Sequence, residues 1–386
     1  MGLFHHSSKN HTCPVPAHLT EDINTVADAS KLLFGTTSFY RFNMILSGAC
    51  TAFACLTILA LLCLHATHLS KPKEQIKIMR ISLIIPIYSI LSFLSICFPN
   101  AYVYLDAWLN FFEGIALVNF FLLLCDYLST DPEQRNAFFA QVDLPADKKT
   151  KKPVNGLDLY RKSWIMAIQF PIVSLIAALV TAITQAASIY CLGSNKPYFA
   201  HLWISIVQNV SVGAAVINVL RFFTVLKAHL KGINPLVKFV AFKIIVGFTF
   251  LISIIFLILR DTSALAPSDT LTWADVNIGL PTMIICILMV PISVFFHYAY
   301  GIKPYKLHKN PRQVEQGDYA NMQPARYEGG LFNIRMWLSL FSIRSLIRAM
   351  SLKPPSQMEY AGGSLSEQPQ LTYDTAYRGR DEVPYA

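Results

Sequence analysis

Glu113 is an acid set in hydrocarbon. It lies inside the run from Leu105 to Leu128, where Asp106, Asn110 and Glu113 share one helical face at i, i+4 and i+7. Asn119 and Asp126 share another face further along. Between Leu109 and Leu124, eleven residues are Leu, Ile, Val or Phe. They favour membrane insertion by about 3 to 7 kcal/mol. One acid near the centre takes back roughly 2.5 to 3.5 kcal/mol. Such a helix persists only if its polar groups face other helices or a wet cavity. No basic residue shares the depth of Glu113, so it is either protonated or in contact with water. An acid in that position either senses a substrate, proton or cation, or is a bonded structural group. A solute site of Glu113, Asn119, Gln208 and Asn209 is the expectation. Asp126 sits near the cytosolic end, level with Arg221 and Lys243. An inner ion cluster of Asp126 with Arg221, Lys243 or both is expected, the alternative being that each snorkels singly to the interface.

Other chemistries find no support. There is no P-loop, GxSxG or HExxH motif, so neither catalysis nor a cofactor is expected. Six of the eight cysteines fall inside apolar runs and no CxxC occurs, which argues against a metal or redox site. Cys13 and Cys191 fall on one side of the membrane and can pair, although spacing does not establish it. His5, His6, His11 and His18 lack fixed ligand spacing and read as a solvated tail.

The elements that must position these groups follow from composition and hydropathy. The chain has 386 residues, 54% hydrophobic and only 14% charged, with a mean hydropathy of +0.43. That balance excludes an ordinary soluble domain. The net charge of +9 sits between apolar runs, which indicates membrane orientation and excludes nucleic acid as the reason. Seven stretches are long enough to span as helices, near 43–66, 81–98, 105–128, 164–191, 199–226, 237–259 and 275–299. Loops one, three and five carry the basic residues, among them Lys71, Lys77, Arg80, Arg135 and Lys238. Loops two, four and six carry only Lys196 and Arg260. The positive-inside rule then places the N-terminus outside or lumenal and the C-terminus in the cytosol. The expected class is an all-α, polytopic seven-helix bundle. Its parts are a lumenal tail over 1–42, a membrane domain over 43–300, a cytosolic segment over 301–352 and a disordered tail over 353–386. The tail lacks an apolar signal-peptide core. Asn10-His11-Thr12 is an N-glycosylation sequon on the outer side. Pro86, Pro281 and Pro291 each remove a backbone donor and kink their spans. Ser174, Ala178, Ala182 and Ala186 form a small-residue seam for close helix packing.

Once the spans are placed, the motifs resemble the organic solute transporter alpha-subunit (Ostalpha) family, in its fungal-type form. Phe112-Glu113-Gly114 with Asn119-Phe120 is similar to the family's Tyr-Glu-Ala and Tyr-Asn-Phe signature. Gln169-Phe170, Tyr190-Cys191, Asn209-Val210-Ser211-Val212, Lys238-Phe239, Lys243, His297-Tyr298-Ala299 and Lys303-Pro304-Tyr305 keep its order. Leu109, Ser174-Leu175, Ile252 and Leu288 depart from it, replacing an arginine, an Arg-Pro, a glutamine and an acid. The resemblance implies seven helices and movement of steroid-, bile-acid- or lipid-like amphipathic solutes. It also implies a small single-span partner subunit, a homo-oligomer being the alternative, and a vacuolar or other endomembrane, or the plasma membrane.

The cytosolic segment carries a second expectation. Over Gly330–Leu352, Met336, Leu340, Ile343, Ile347 and Met350 repeat at helical spacing, and Arg335, Arg344 and Arg348 exclude an eighth span. This amphipathic helix, expected to break near Ser342, lies on the cytosolic leaflet, fills an adaptor's groove, or docks on its own bundle. Trp337 and Leu340 have the shape of a short docking motif for a cytosolic adaptor. A scaffold that recruits proteins through this segment is the alternative function. A seven-helix receptor ranks last, because Cys125-Asp126-Tyr127 stands where Asp-Arg-Tyr is usual.

Overall fold

A computed structural model describes residues 38–129, 131–142, 155–230, 235–261, 271–307 and 327–342, with the single residues 13, 144, 347 and 354. The sequon at Asn10, the histidine-rich start, the Lys148–Lys152 run and almost all of the tail expected over 353–386 lie outside the described residues.

Seven helices are long and apolar enough to cross a membrane: Phe39–Thr67, Pro72–Cys97, Pro99–Leu128, Gly156–Ala186, Ala200–Leu230, Val237–Phe256 and Asp275–Tyr305. The protein is a multi-pass, all-α membrane bundle. The first span is α1 (Phe39–Thr67), opened by Ser38, whose hydroxyl accepts from Arg41 N. The second is α2 (Pro72–Ser82) followed by α3 (Ile84–Cys97). The third is α4 (Tyr102–Leu128), and α5 (Pro132–Gln141) fills part of loop three. The remaining spans are α6 (Gly156–Ala186), α7 (Ala200–Leu226), α8 (Pro235–Asp261) and α9 (Leu280–Ala299). A short α10 (Ile334–Leu340) follows.

Several helices outrun the apolar stretches that announced them. The second span starts at Pro72 and the fourth at Gly156, well before 81 and 164. Hydropathy marks only the part of a helix inside hydrocarbon, and these helices continue beyond it on exposed charged residues such as Lys73 and Asp158. The fourth ends at Ala186, short of 191, in a turn where Ser188 takes a positive φ of 59°.

Pro86 and Pro281 fall at interruptions of their spans, while Pro291 lies inside the continuous helix α9. Pro86 removes the donor that Ser82 O needs, and the second span breaks between Ser82 and Ile84. Pro281 follows a π-turn over Asp275–Gly279. Pro171, inside α6, serves packing. A Cβ on Gly114 would lie 2.8 Å from its Cα, so only glycine lets α4 and α6 come this close. The small-residue seam is buried at Ser174 and Ala178 and exposed by Ala186.

Helix α4 is the axis of the bundle. It packs against α2, α3, α6 and α7, and every residue from Ala116 to Tyr127 is buried. A second contact set joins α1, α3 and α9 through polar groups: Asn43 Nδ2 donates to Gly279 O at 3.0 Å, and Thr51 Oγ1 to Ser89 O at 3.2 Å. At the end opposite the basic loops, Cys13 and Cys191 form a disulfide. A disulfide belongs in an oxidising compartment, which agrees with the orientation given by the loop charges.

Candidate functional site

Glu113 stands about 17 Å along α4 from Tyr102, close to mid-membrane. It is 5% exposed, and Tyr88 OH of α3 donates to its Oε2 at 2.9 Å. Thr249 of α8 approaches the same phenol. The acid therefore belongs to a junction of the second, third and sixth spans, shielded from lipid. Nothing in the apolar run of α3 singles out Tyr88 as its partner, because span pairing is not written in either segment.

The other expected solute-site residues do not converge on Glu113. Asn119 is wholly buried, yet six residues on a helix place it about 120° around the axis from Glu113. Its Nδ2 donates to Ile115 O at 2.8 Å, and its Oδ1 has no partner among the described residues. Gln208 accepts from Ser174 Oγ at 3.1 Å across the α6–α7 seam. Gln169 and Ser211 exchange two bonds of 3.0 Å on that seam. Asn209, one residue on, is turned to the outside of the bundle. The Ser89 and Ser92 hydroxyls of α3 are likewise buried without partners among the described residues. Along α3 and α4, then, the interior carries one bonded acid and spare polar atoms able to meet water or a solute hydroxyl.

The inner ion cluster exists with other members. Asp126 pairs with Lys77 of α2 and with Arg135 of α5, the latter at 3.0 Å. Arg221 and Lys243 are not its partners, and Lys243 is exposed on α8. The reason lies in the loops. Both partners come from segments that fold into helices, α2 and α5, and return their charges to the end of α4. Arg135 also donates to Ser129 O at 2.8 Å and to Tyr160 OH at 3.5 Å. Phe139 anchors α5 by stacking on Tyr160, with ring centroids 4.5 Å apart.

A polar chain that sequence reasoning missed crosses the cytosolic end. Lys238, a loop charge by sequence, is 4% exposed. Its Nζ donates to Tyr127 OH at 2.6 Å and lies 4.6 Å from that ring's centroid. Tyr127 OH meets Tyr305 OH at 3.4 Å, and Tyr305 OH donates to Glu74 Oε2 at 3.1 Å. Two phenols thus link a buried ammonium to a carboxylate and tie together α2, α4, α8 and the exit of α9. His65 is wholly buried beside this chain. Its Nε2 bonds Tyr300 O at 2.7 Å and its Nδ1 meets Gln75 Nε2 at 3.2 Å, which fixes the proton on Nε2. The one available signal was the Lys303-Pro304-Tyr305 motif, whose tyrosine is a link in the chain.

The motif at Trp337 and Leu340 is partly packed on the bundle. Met336 and Leu340 are each 5% exposed and pack into the main core. Trp337 Nε1 donates to Leu331 O at 2.9 Å. Leu340 is enclosed by the bundle, whereas Trp337 stays half-exposed. Of the expected apolar stripe, Met336 and Leu340 meet the bundle, Ile347 is exposed, and Ile343 and Met350 lie outside the described residues.

Residues 43–305 match the family described as organic solute transporter Ostalpha. The chain belongs to the Ostalpha family. It is 26% identical over 259 residues to a transmembrane protein 184 homolog of Dictyostelium discoideum, covering 64% of this chain and 50% of that protein. It is 28% identical over 283 residues to Protein LAZ1 of Arabidopsis thaliana, covering 66% of this chain and 57% of that one. The chain spans little more than half the length of these relatives. No solved structure matches it significantly.

Proposed function

We propose that this Ostalpha-family protein moves amphipathic organic solutes, steroid-, bile-acid- or lipid-like, across a membrane. The observation that carries the reading is Glu113: an acid kept at mid-membrane inside the bundle, with Tyr88 as its bonded partner. An acid at this depth costs more than an apolar side chain would, and a solute with hydroxyls needs a polar group to exchange for its water. The Asn119 carbonyl oxygen and the Ser89 and Ser92 hydroxyls, buried without partners among the described residues, are further polar atoms on α3 and α4. The membrane is vacuolar, another endomembrane or the plasma membrane. The working unit includes a small single-span partner or a second copy of the chain.

The test is flux in reconstituted vesicles, using a panel of labelled conjugated steroids, bile acids and lipids. Wild-type protein is expected to carry at least one class, and Glu113→Ala to lose that flux while eluting as folded protein. A panel that never crosses overturns the transport reading. A Glu113→Ala variant with normal flux overturns the role given to the acid.

A further inference from the structure

The C-terminal segment has two apolar faces, and only one is used inside the protein. Met336 and Leu340 are packed on the bundle. On the other side Phe332 is 91% exposed, Phe341 71%, Ile334 70% and Leu338 64%. We infer that this second face is buried in the cytosolic leaflet of the bilayer, making residues 330–341 an interfacial foot of the bundle.

The depth of the segment supports that occupant. The second span, Pro72–Cys97, has 26 residues. At about 1.5 Å per residue, roughly 20 of them fill 30 Å of hydrocarbon. Counted inward from Cys97, whose carbonyl accepts from Tyr40 OH beside the outer loop, the hydrocarbon ends close to Ile78. Arg80 lies within a turn of that boundary, and it holds the end of the segment. Its guanidinium donates to Ser339 O at 2.6 Å, Leu340 O at 3.0 Å and Ser342 O at 3.3 Å. An arginine on the free carbonyls of a helix end is a favourable C-terminal partner. The other end of the segment sits deeper in the cytosolic headgroup zone. Glu328 N donates to Leu69 O at 2.8 Å, and a Cβ on Gly329 would fall 2.2 Å from Ala66 O. The segment therefore runs from the end of α1 up the side of α2, through the headgroup region to the edge of hydrocarbon.

At that depth an exposed Phe or Leu sits at the boundary of headgroups and acyl chains. On neighbouring α1, side chains such as Phe53, Leu56 and Leu59 are likewise exposed, as groups facing lipid are. Bulky apolar groups flanked by arginines also suit an anionic cytosolic surface, and Arg335, Arg344, Arg348 and Lys353 lie in and just beyond this stretch.

Photo-crosslinking of the full-length protein in membranes from expressing cells tests the inference. A p-benzoylphenylalanine replaces Phe332, or Leu338 in a second variant, and the adducts are read by intact-mass spectrometry. Phospholipid adducts at both positions are the expected result. The same probe at Met336 is expected to give intramolecular adducts, with lipid labelling several-fold lower. Adducts from Phe332 and Leu338 to another protein or to a second copy overturn the inference, as does an absence of lipid adducts. Equal lipid labelling at Met336 also overturns it, because the segment would then have no fixed face. None of these outcomes depends on transport.

Discussion

Tyr88 and Glu113 are worth examining as a pair, because each is buried and each bonds the other. Tyr88→Phe takes away a donor and leaves the acid without its hydrogen bond. That costs about 1–3 kcal/mol, and thermal denaturation in detergent should show a lower Tm. Combining it with Glu113→Leu is expected to destabilise by less than the two single changes added together, since the second removes the group that the first strands. Purely additive effects would mean that the bond contributes nothing to stability. Asp126 differs, because two basic side chains converge on it from separate segments. Asp126→Ala leaves Arg135 charged and enclosed, with an expected loss of about 3–5 kcal/mol. Lys243→Ala, on an exposed position, is expected to change little. A chemical-denaturation series on the two variants separates the observed cluster from the one the sequence suggested.

Helix α4 tolerates its acid, amides and loop charges because four neighbours enclose it. The closest approach is at Gly114 against Pro171. Gly114→Ala places a methyl group against backbone atoms that cannot rotate away, so α4 and α6 must separate. A loss of about 1–3 kcal/mol is expected from such overpacking, measured as a lower midpoint of unfolding. Gly213→Ala is the control. Nothing lies within 4 Å of a Cβ there, and alanine has the better helix propensity. The same reasoning explains α5 and α10. Each is too short to be stable alone and exists because a few side chains, Phe139 in one and Met336 with Leu340 in the other, reach the core.

Across the molecule, the two ends are held by different means. Ion pairs and the chain from Lys238 to Glu74 hold the cytosolic end, whereas the Cys13–Cys191 bridge, 178 residues apart, ties the N-terminal tail to loop four at the other. Breaking a link of this kind typically costs about 2–4 kcal/mol, so Cys13→Ser should lower the Tm. Reduction should make Cys13 and Cys191 reactive to a thiol reagent that labels neither beforehand, and labelling of either in the oxidised protein would contradict the bridge. Because the tail is joined to the outer loop, that labelling also reports which compartment the end faces.

Amino-acid order alone determined how many helices are long and apolar enough to cross and roughly where, and loop charge supplied the expected orientation. Hydropathy and loop charge are sums over short stretches and do not depend on who packs against whom. It also picked out Glu113 and Asn119 as groups needing shelter, because an acid or amide in an oily run is costly whatever surrounds it. Partner choice was beyond it. Tyr88 for Glu113, Lys77 and Arg135 for Asp126, and Tyr127 for Lys238 depend on how spans rotate and on which loops fold back, and both are fixed by packing across the bundle. Likewise the repeat at Met336 and Leu340 announced an apolar helix face, but only the packed structure decided that this face meets the bundle and that a second one, on Phe332 and Leu338, is left for the surroundings.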